Sequence, residues 1–208
     1  TLAQGYDAKV DLKLDQIIAD IALAQEDDGY LYTARTCLDS LEASGDASGE
    51  ASYDFPGKEE RWSHLAHGHE LYNVGHLYEA AVAHFQATGK RTLLDVALKN
   101  ADLIVRTFGS GEGQRYDTPG HEEIEIGLVK LYRLTGEQKY LEQAEFFLES
   151  RGQKDKREQL YGKYVQDHLP VLQQTEAVGH AVRAGYLYSG MADVAAHARG
   201  GTGRAVYS

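Results

Sequence analysis

A repeat of 47 residues is the feature of this sequence that most restricts its fold. The segment TGKRTLLDVA at 88–97 has the same pattern as TGEQKYLEQA at 135–144. In both copies a Thr-Gly pair precedes apolar residues at helical spacing, and Gly after a helix is typical of a left-handed C-terminal turn. Repeats of this length are typical of stacked helix hairpins. The sequence therefore predicts an all-α fold.

The apolar spacing predicts six helices, at about 8–25, 69–87, 91–107, 120–134, 138–150 and 174–197. Tight connections alternate with long ones, which lie at 34–66, 109–119 and 152–173. We therefore expect the long loops to emerge at one end of the array, where loops of this length usually carry function. An open solenoid and a closed double ring both fit this pattern. Helix 120–134 is apolar nearly all round, as expected of an inner-ring helix.

Three Gly-His pairs lie at or near predicted helix starts: Gly68-His69, Gly120-His121 and Gly179-His180. Each follows a long loop, so the three histidines are predicted to converge. A helix N-terminus disfavours the imidazolium cation. A neutral imidazole offers one donor and one acceptor, which suits the hydroxyl groups of a sugar. The alternative is that these histidines cap helices or fill polar core positions.

Four further residues are secondary candidates: Tyr72, His76, Glu122 and Asp28. Tyr72 and His76 share a helical face with His69. Glu122, like its neighbour Glu123, falls in a predicted first turn, where it either caps the helix or acts as a general acid or base in glycoside cleavage. Asp28 forms a turn expected near the same mouth. No metal site is predicted in this span, since no carboxylate is fixed between the histidines.

Composition excludes several classes of partner. The formal net charge is −11 and the Lys and Arg residues are dispersed, which argues against nucleic acid and anionic membranes as partners. No apolar run approaches the roughly 18 residues needed to span a bilayer. The single cysteine, Cys37, excludes an internal disulfide and a Cys-rich metal site. With no recognisable signal peptide, we expect a cytoplasmic location.

Several motifs together resemble one enzyme family, the glycoside hydrolase family 127 of β-L-arabinofuranosidases, and the resemblance covers most of residues 8–198. The motifs are Gln25 with Asp28-Gly29-Tyr30-Leu31, Gly68-His69-Glu70-Leu71-Tyr72, Gly75-His76-Leu77, Gly120-His121 with Glu123-Ile124-Glu125, and Gly179-His180-Ala181-Val182-Arg183-Ala184.

The resemblance implies an (α/α)6 barrel and retaining hydrolysis of β-L-arabinofuranosides, with a zinc-bound cysteine thiolate as nucleophile and a glutamate as acid/base. It also implies that His69, His121 and His180 hold sugar hydroxyls. The family's catalytic glutamate and zinc ligands would lie downstream. We therefore expect no catalytic residue and no zinc ligand within residues 1–208, which would form one partial barrel domain, inactive alone, without the family's N-terminal region and β-sandwich domains.

The implied partner is an L-arabinofuranose-type sugar or oligosaccharide from plant polysaccharide. Part of a barrel would expose apolar inner faces, so a homo-oligomer is also expected. Two alternatives remain at this point: another helical-barrel carbohydrate enzyme such as a sugar epimerase, and a non-catalytic helical-repeat scaffold.

Overall fold

The chain folds into an array of α-helices in a computed structural model that describes residues 2–37 and 60–197. The helices are α1 (Ala8–Ala24), α2 (Glu70–Thr88), α3 (Thr92–Thr107), α4 (Ile124–Thr135), α5 (Gln138–Ser150) and α6 (Ala181–His197). Two 3-10 turns, Lys163–Val165 and Val171–Gln173, lie in the last long loop. The described residues contain no β-strand. The all-α prediction is confirmed, and most of the predicted irregular stretch 34–65 lies outside the described residues.

The helices form two layers. In one layer α2 packs against α4, and α4 against α6. In the other, α1 packs against α3, and α3 against α5. Helix α4 also contacts α5, and residues 124–129 of α4 are all buried. The helices that follow long loops therefore lie side by side, as predicted for an inner ring.

Two glycines let α2 and α4 approach closely. A Cβ atom at Gly75 would lie 2.7 Å from the Cα of Ile124. A Cβ at Gly127 would lie 2.6 Å from the carbonyl oxygen of Gly75. Contacts this short leave room only for a hydrogen atom, so both positions require glycine. The N-terminal end of α4 is thereby pressed against the middle of α2.

The repeated Thr-Gly turns have the same hydrogen bonds in both copies. Gly89 and Gly136 have φ values of 74° and 77°, and each amide donates to a helix carbonyl at 2.8 Å. Thr88 Oγ1 donates to a carbonyl one turn back and accepts from the amide two residues ahead, and Thr135 does the same. The sequence repeat is thus a structural repeat, and the two turns lie opposite the long loops.

Two helices begin later than the sequence predicts. Helix α4 begins at Ile124 rather than near 120, because the Gly120 amide donates to the Leu65 carbonyl at 3.0 Å and holds residues 120–123 against another loop. Helix α6 begins at Ala181 rather than 174, because Gln166 Nε2 donates to the carbonyls of Val178 and His180. Local apolar spacing carries no information about such long-range restraints.

Apolar side chains remain exposed on the first and last helices. On α1 these include Leu12 and Leu23, and on α6 they include Val182 and Tyr188. No helix among the described residues is long and apolar enough to cross a membrane. The prediction of a homo-oligomer stays open on these faces.

Candidate functional site

Five side-chain rings meet at the loop-rich end of the array, and we call them the ring cluster: His69, Tyr72, His76, His121 and Tyr186. The ring centroids of His69 and His121 are 5.9 Å apart, and those of Tyr72 and His121 are 4.2 Å apart. Tyr186 lies 5.6 Å from His121 and 6.0 Å from Tyr72. The cluster therefore joins α2, the segment before α4, and α6.

His180 lies at the edge of this cluster. Its ring is 5.5 Å from that of Tyr164, and its amide donates to the Tyr164 carbonyl at 3.0 Å. The positive charge of a protonated His180 imidazole would help to lower the pKa of His121. Within the described part of the chain, its Nδ1 is buried without a hydrogen-bond partner. All three predicted histidines thus lie at one end, with His69 and His121 in ring contact.

The two contacting histidines are held neutral. Burial, with smaller contributions from Arg183 and the other two histidines, lowers the pKa of His121 to about 4. Partial burial and Arg183 also lower the pKa of His69. The expected neutrality is therefore present, but its main cause is loss of hydration. The helix N-terminus is not the cause for His121, which lies three residues ahead of Ile124, the first residue of α4.

Arg183 ties three loops together below the histidines. Its guanidinium is buried and Nη1 donates to the Gly120 carbonyl at 2.9 Å and to the Ala66 carbonyl at 3.5 Å. The same group lies 5.0 Å from the centroid of the Tyr164 ring, within reach of a cation–π interaction. Ala66 and Gly120 lie in the loops that lead to His69 and His121, and Tyr164 contacts His180. Arg183 therefore fixes their relative positions.

Glu122 is buried behind the site and cannot reach a ligand in it. Its Oε1 lies 3.0 Å from Arg151 Nη1, and both side chains are fully buried. The hydrogen bonds of Arg151 go to the carbonyls of Val165 and Pro119. Arg151 and Glu122 therefore form a close ion pair without a well-aligned hydrogen bond between them. Burial outweighs the attraction of Arg151 and raises the pKa of Glu122 to about 7. The predicted capping role is wrong for Glu122, because the N-cap residue of α4 is Glu123 and the Glu122 carboxyl faces Arg151.

Asp28 lies in a separate network. Its carboxylate pairs with Arg61 at 2.5 Å and accepts from the Tyr30 amide at 3.0 Å, which stabilises the turn 26–30. Nearby, Glu70 accepts from the Tyr30 hydroxyl at 2.5 Å and from the Trp62 amide. Asp28 therefore forms the turn that the sequence predicts, and among the described residues its side chain contacts Arg61 and the Tyr30 amide, outside the ring cluster.

Two carboxyl groups, those of Glu79 and Glu123, lie next to the His76 ring of the cluster. His76 Nδ1 is 3.1 Å from Glu123 Oε1 and 3.5 Å from Glu79 Oε2, and Lys130 pairs with the other oxygen of Glu79. Burial, with Glu79 beside it, raises the pKa of Glu123 to about 10. These donor atoms lie close enough to hold a metal ion. A cation there would have to displace the carboxyl proton and lie beside the ammonium group of Lys130.

The sequence interpretation missed Tyr186 and Arg183. The signal was present, because both lie on α6 at spacings of six and three from His180, and three is the spacing that links Tyr72 to His69. Residues three apart share a face of a helix, so the spacing that groups Tyr72 with His69 also groups Arg183 and Tyr186 with His180.

Residues 1–203 match the family described as "Beta-L-arabinofuranosidase, GH127 catalytic domain". The chain belongs to this family. A curated relative, the non-reducing end β-L-arabinofuranosidase of Bifidobacterium longum subsp. longum, is 37% identical over 213 residues, which cover 93% of this chain and 30% of the relative.

Solved structures of the GH127 family have the same fold. A GH127 β-arabinofuranosidase superposes with a TM-score of 0.79 and 49% identity, covering 91% of this chain and 28% of the other. The GH127 β-L-arabinofuranosidase from Geobacillus stearothermophilus T6 gives a TM-score of 0.79 and 41% identity, covering 94% and 30%. GH127 proteins are (α/α)6 barrels, so the two helical layers here are part of such a barrel.

The chain spans less than a third of the length of these relatives. It also lacks the donors for the zinc centre that the family resemblance implies. Its one cysteine, Cys37, is exposed, and among the described residues it belongs to neither group of His, Asp and Glu side chains close enough to share a metal ion. The residues present do not fit that zinc site, and none of them is assigned to it.

Proposed function

We propose that this chain supplies the sugar-binding part of the active site of a retaining GH127 glycoside hydrolase, and that it binds an L-arabinofuranose-type sugar or oligosaccharide. The observation that carries the proposal is the meeting of His69, His121 and Tyr72, which come from two loops and one helix, with ring separations between 4.2 and 5.9 Å. Small-ligand sites combine such aromatic surface with a few placed polar groups.

The protonation of His121 supports a role in binding hydroxyl groups. Its Nδ1 lies 2.8 Å from the backbone oxygen of Glu122. A carbonyl oxygen only accepts, so in a neutral ring Nδ1 carries the hydrogen and Nε2 is left as an acceptor. A sugar hydroxyl can donate to that nitrogen. We assign equivalent contacts to His69 and His180.

The two tyrosines of the ring cluster supply the apolar part of the site. Tyr72 and Tyr186 present rings to the same histidines, and both side chains are half-buried. An aromatic ring has an apolar body and a polar tip. We propose that these rings pack against the carbon-bearing face of the sugar, while the imidazoles hold its hydroxyls.

We propose that the bond-breaking groups lie outside these residues. Retaining hydrolysis needs an acid/base group and a nucleophile on either side of the glycosidic bond. Glu122 and Glu123 have fully buried side chains that contact Arg151 and His76. The 208-residue chain would then bind a sugar without cleaving it. Turnover of an aryl β-L-arabinofuranoside by this chain would contradict that part of the proposal.

Binding can be tested by isothermal titration with methyl β-L-arabinofuranoside. We expect His69→Ala and His121→Ala each to weaken binding about tenfold, since each removes a hydrogen bond worth about 1 kcal/mol or more. His197→Ala is the matched control, because His197 ends α6 and contacts Tyr132 outside the ring cluster. Unchanged affinity in both variants would overturn the proposal.

Membership of GH127 favours the hydrolase over the epimerase and the non-catalytic scaffold. The homo-oligomer and the cytoplasmic location stay predictions, and light scattering on the purified chain tests the first of them.

A further inference from the structure

The carboxyl group of Glu123 lies under the ring cluster without facing the proposed sugar. Its side chain is fully buried, and its Oε1 lies 3.1 Å from His76 Nδ1. Within the described part of the chain, the polar side chains next to its oxygens are the His76 imidazole and the Glu79 carboxyl. Burying a carboxyl with so few partners costs free energy, so its presence calls for a functional explanation.

The absence of a side chain at Gly75 leaves the space that the Glu123 carboxyl occupies. A Cβ atom at Gly75 would lie 1.8 Å from Glu123 Oε2, so the carboxyl occupies the space left by a missing side chain. The Glu123 amide donates to Glu125 Oε2 at 3.0 Å, and its carbonyl accepts from the first turn of α4. The carboxyl is therefore directed at α2 by fixed backbone on both helices.

The group carries a proton rather than a charge. Glu79 Oε2 lies 3.5 Å from the same imidazole nitrogen, and Lys130 pairs with Glu79. Carboxylate oxygens of Glu79 and Glu123 lie within 4.8 Å of each other, and two carboxyl groups this close share one proton, because both cannot ionise at low cost. Lys130 favours the charged form of Glu79, and complete burial favours the neutral form of Glu123.

His76 links this carboxyl to the cluster above it. The His76 ring meets Tyr72 edge to face at 4.5 Å and 88°, and Tyr186 at 5.8 Å and 81°. Tyr72 in turn lies 4.2 Å from His121. A rotation of the His76 ring would therefore remove a packing partner from both tyrosines.

We propose that Glu123 is a positioning residue of the sugar site: its neutral carboxyl holds His76 in one orientation, and His76 holds Tyr72 and Tyr186 beneath the sugar. The effect on sugar affinity rests on the proposed function. The effect on the His76 ring does not.

The test compares a neutral isostere with an apolar residue. Glu123→Gln keeps a neutral group that can hydrogen-bond to Nδ1, whereas Glu123→Leu fills the space without a partner. The readouts are the ¹⁵N chemical shifts of the His76 ring, the affinity for methyl β-L-arabinofuranoside, and far-ultraviolet circular dichroism as a check of folding.

We expect Glu123→Gln to keep a single set of His76 shifts and an affinity within about threefold of the wild type. Glu123→Leu should shift or broaden the His76 signals and weaken sugar binding about tenfold, with helicity retained. His76→Phe keeps a ring but loses the nitrogen, so adding Glu123→Leu to it should cause little further loss of affinity, because the two residues act as one unit.

Two results would overturn the proposal. One is a Glu123→Leu protein with unchanged His76 shifts. The other is a Glu123→Gln protein whose His76 shifts change as much as those of Glu123→Leu. If the wild type itself binds no arabinofuranoside, the proposed function fails, while the His76 shifts still test the positioning role.

Discussion

Arg151 and Glu122 form an ion pair that water does not reach, with Nη1 3.0 Å from Oε1 and both side chains fully buried. Arg151 also donates to the carbonyls of Val165 and Pro119, at 2.8 and 2.9 Å. One side chain therefore holds the loop 152–173 against the segment that leads into His121.

Arg151→Met should destabilise the fold severely. The change leaves Glu122 and two carbonyl groups buried without their partner, and breaking a buried ion pair typically costs about 3–5 kcal/mol. Urea unfolding at about pH 8, above the pKa of Glu122, measures the free energy. Arg106→Met is a matched control, since Arg106 is exposed and donates one long hydrogen bond of 3.3 Å. A cost below about 1 kcal/mol for Arg151→Met would contradict the importance given to the pair.

Glu122 should make stability depend on pH. Burial raises its pKa in the folded chain to about 7, from 4.5. A group with a raised folded pKa contributes stability that is present below the unfolded pKa and lost as the pH rises through the folded one. The free energy of unfolding should therefore fall between about pH 4.5 and 7, by up to about 3 kcal/mol from this group.

Neighbouring groups titrate in the same range, so the informative quantity is the difference between the wild type and Glu122→Gln. That difference should change across this pH range and be flat above about pH 8. A difference that is constant from pH 4.5 to 7 would show that the carboxyl is ionised throughout.

His121 should remain uncharged well below neutral pH. Its pKa is lowered to about 4, chiefly by burial and less so by Arg183 and the other two histidines. Because the folded pKa lies below the unfolded one, this group's contribution to stability is present above about pH 6.5 and lost as the pH falls towards 4. An NMR titration of the ring ¹⁵N signals gives the midpoint directly. A midpoint near 6.5 would mean that water reaches the ring freely.

Two glycines in helices should respond oppositely to alanine. Gly75→Ala forces a Cβ to within 1.8 Å of Glu123 Oε2 and 2.7 Å of the Ile124 Cα, and such overpacking typically costs about 1–3 kcal/mol. Gly185 lies on α6, where an added Cβ would have no atom within 4 Å, so Gly185→Ala should stabilise by up to about 1 kcal/mol through helix propensity. Thermal unfolding of both variants makes the comparison.

The layered fold was predictable because its signals are local. Thr88-Gly89 and Thr135-Gly136 mark equivalent turns, and the hydrogen bonds of those turns involve residues at most four apart. The burial of α4 is likewise visible in its high content of apolar residues. Such features depend on a few consecutive residues and need no knowledge of the rest of the chain.

The site was predictable only in part. The three Gly-His pairs indicate where the histidines meet, even though His121 does not open a helix. The contacts that hold these histidines in place were not predictable, because they join residues that are far apart in the sequence. Arg183 reaches the carbonyl of Gly120 across 63 positions and that of Ala66 across 117. The depth at which Glu122 and Glu123 are buried is also a product of the assembled layers.

The reach of Arg183 has a consequence for biosynthesis. A chain is made from its N-terminus, and helices such as α2 to α5 can form as they leave the ribosome. The loops that carry His69 and His121 nevertheless wait for a guanidinium that is translated 63 positions after Gly120. Until α6 has been synthesised, a nascent chain holds both histidines without the group that sets their spacing. The two loops therefore take their final spacing only after α6 has been translated and has packed against α4.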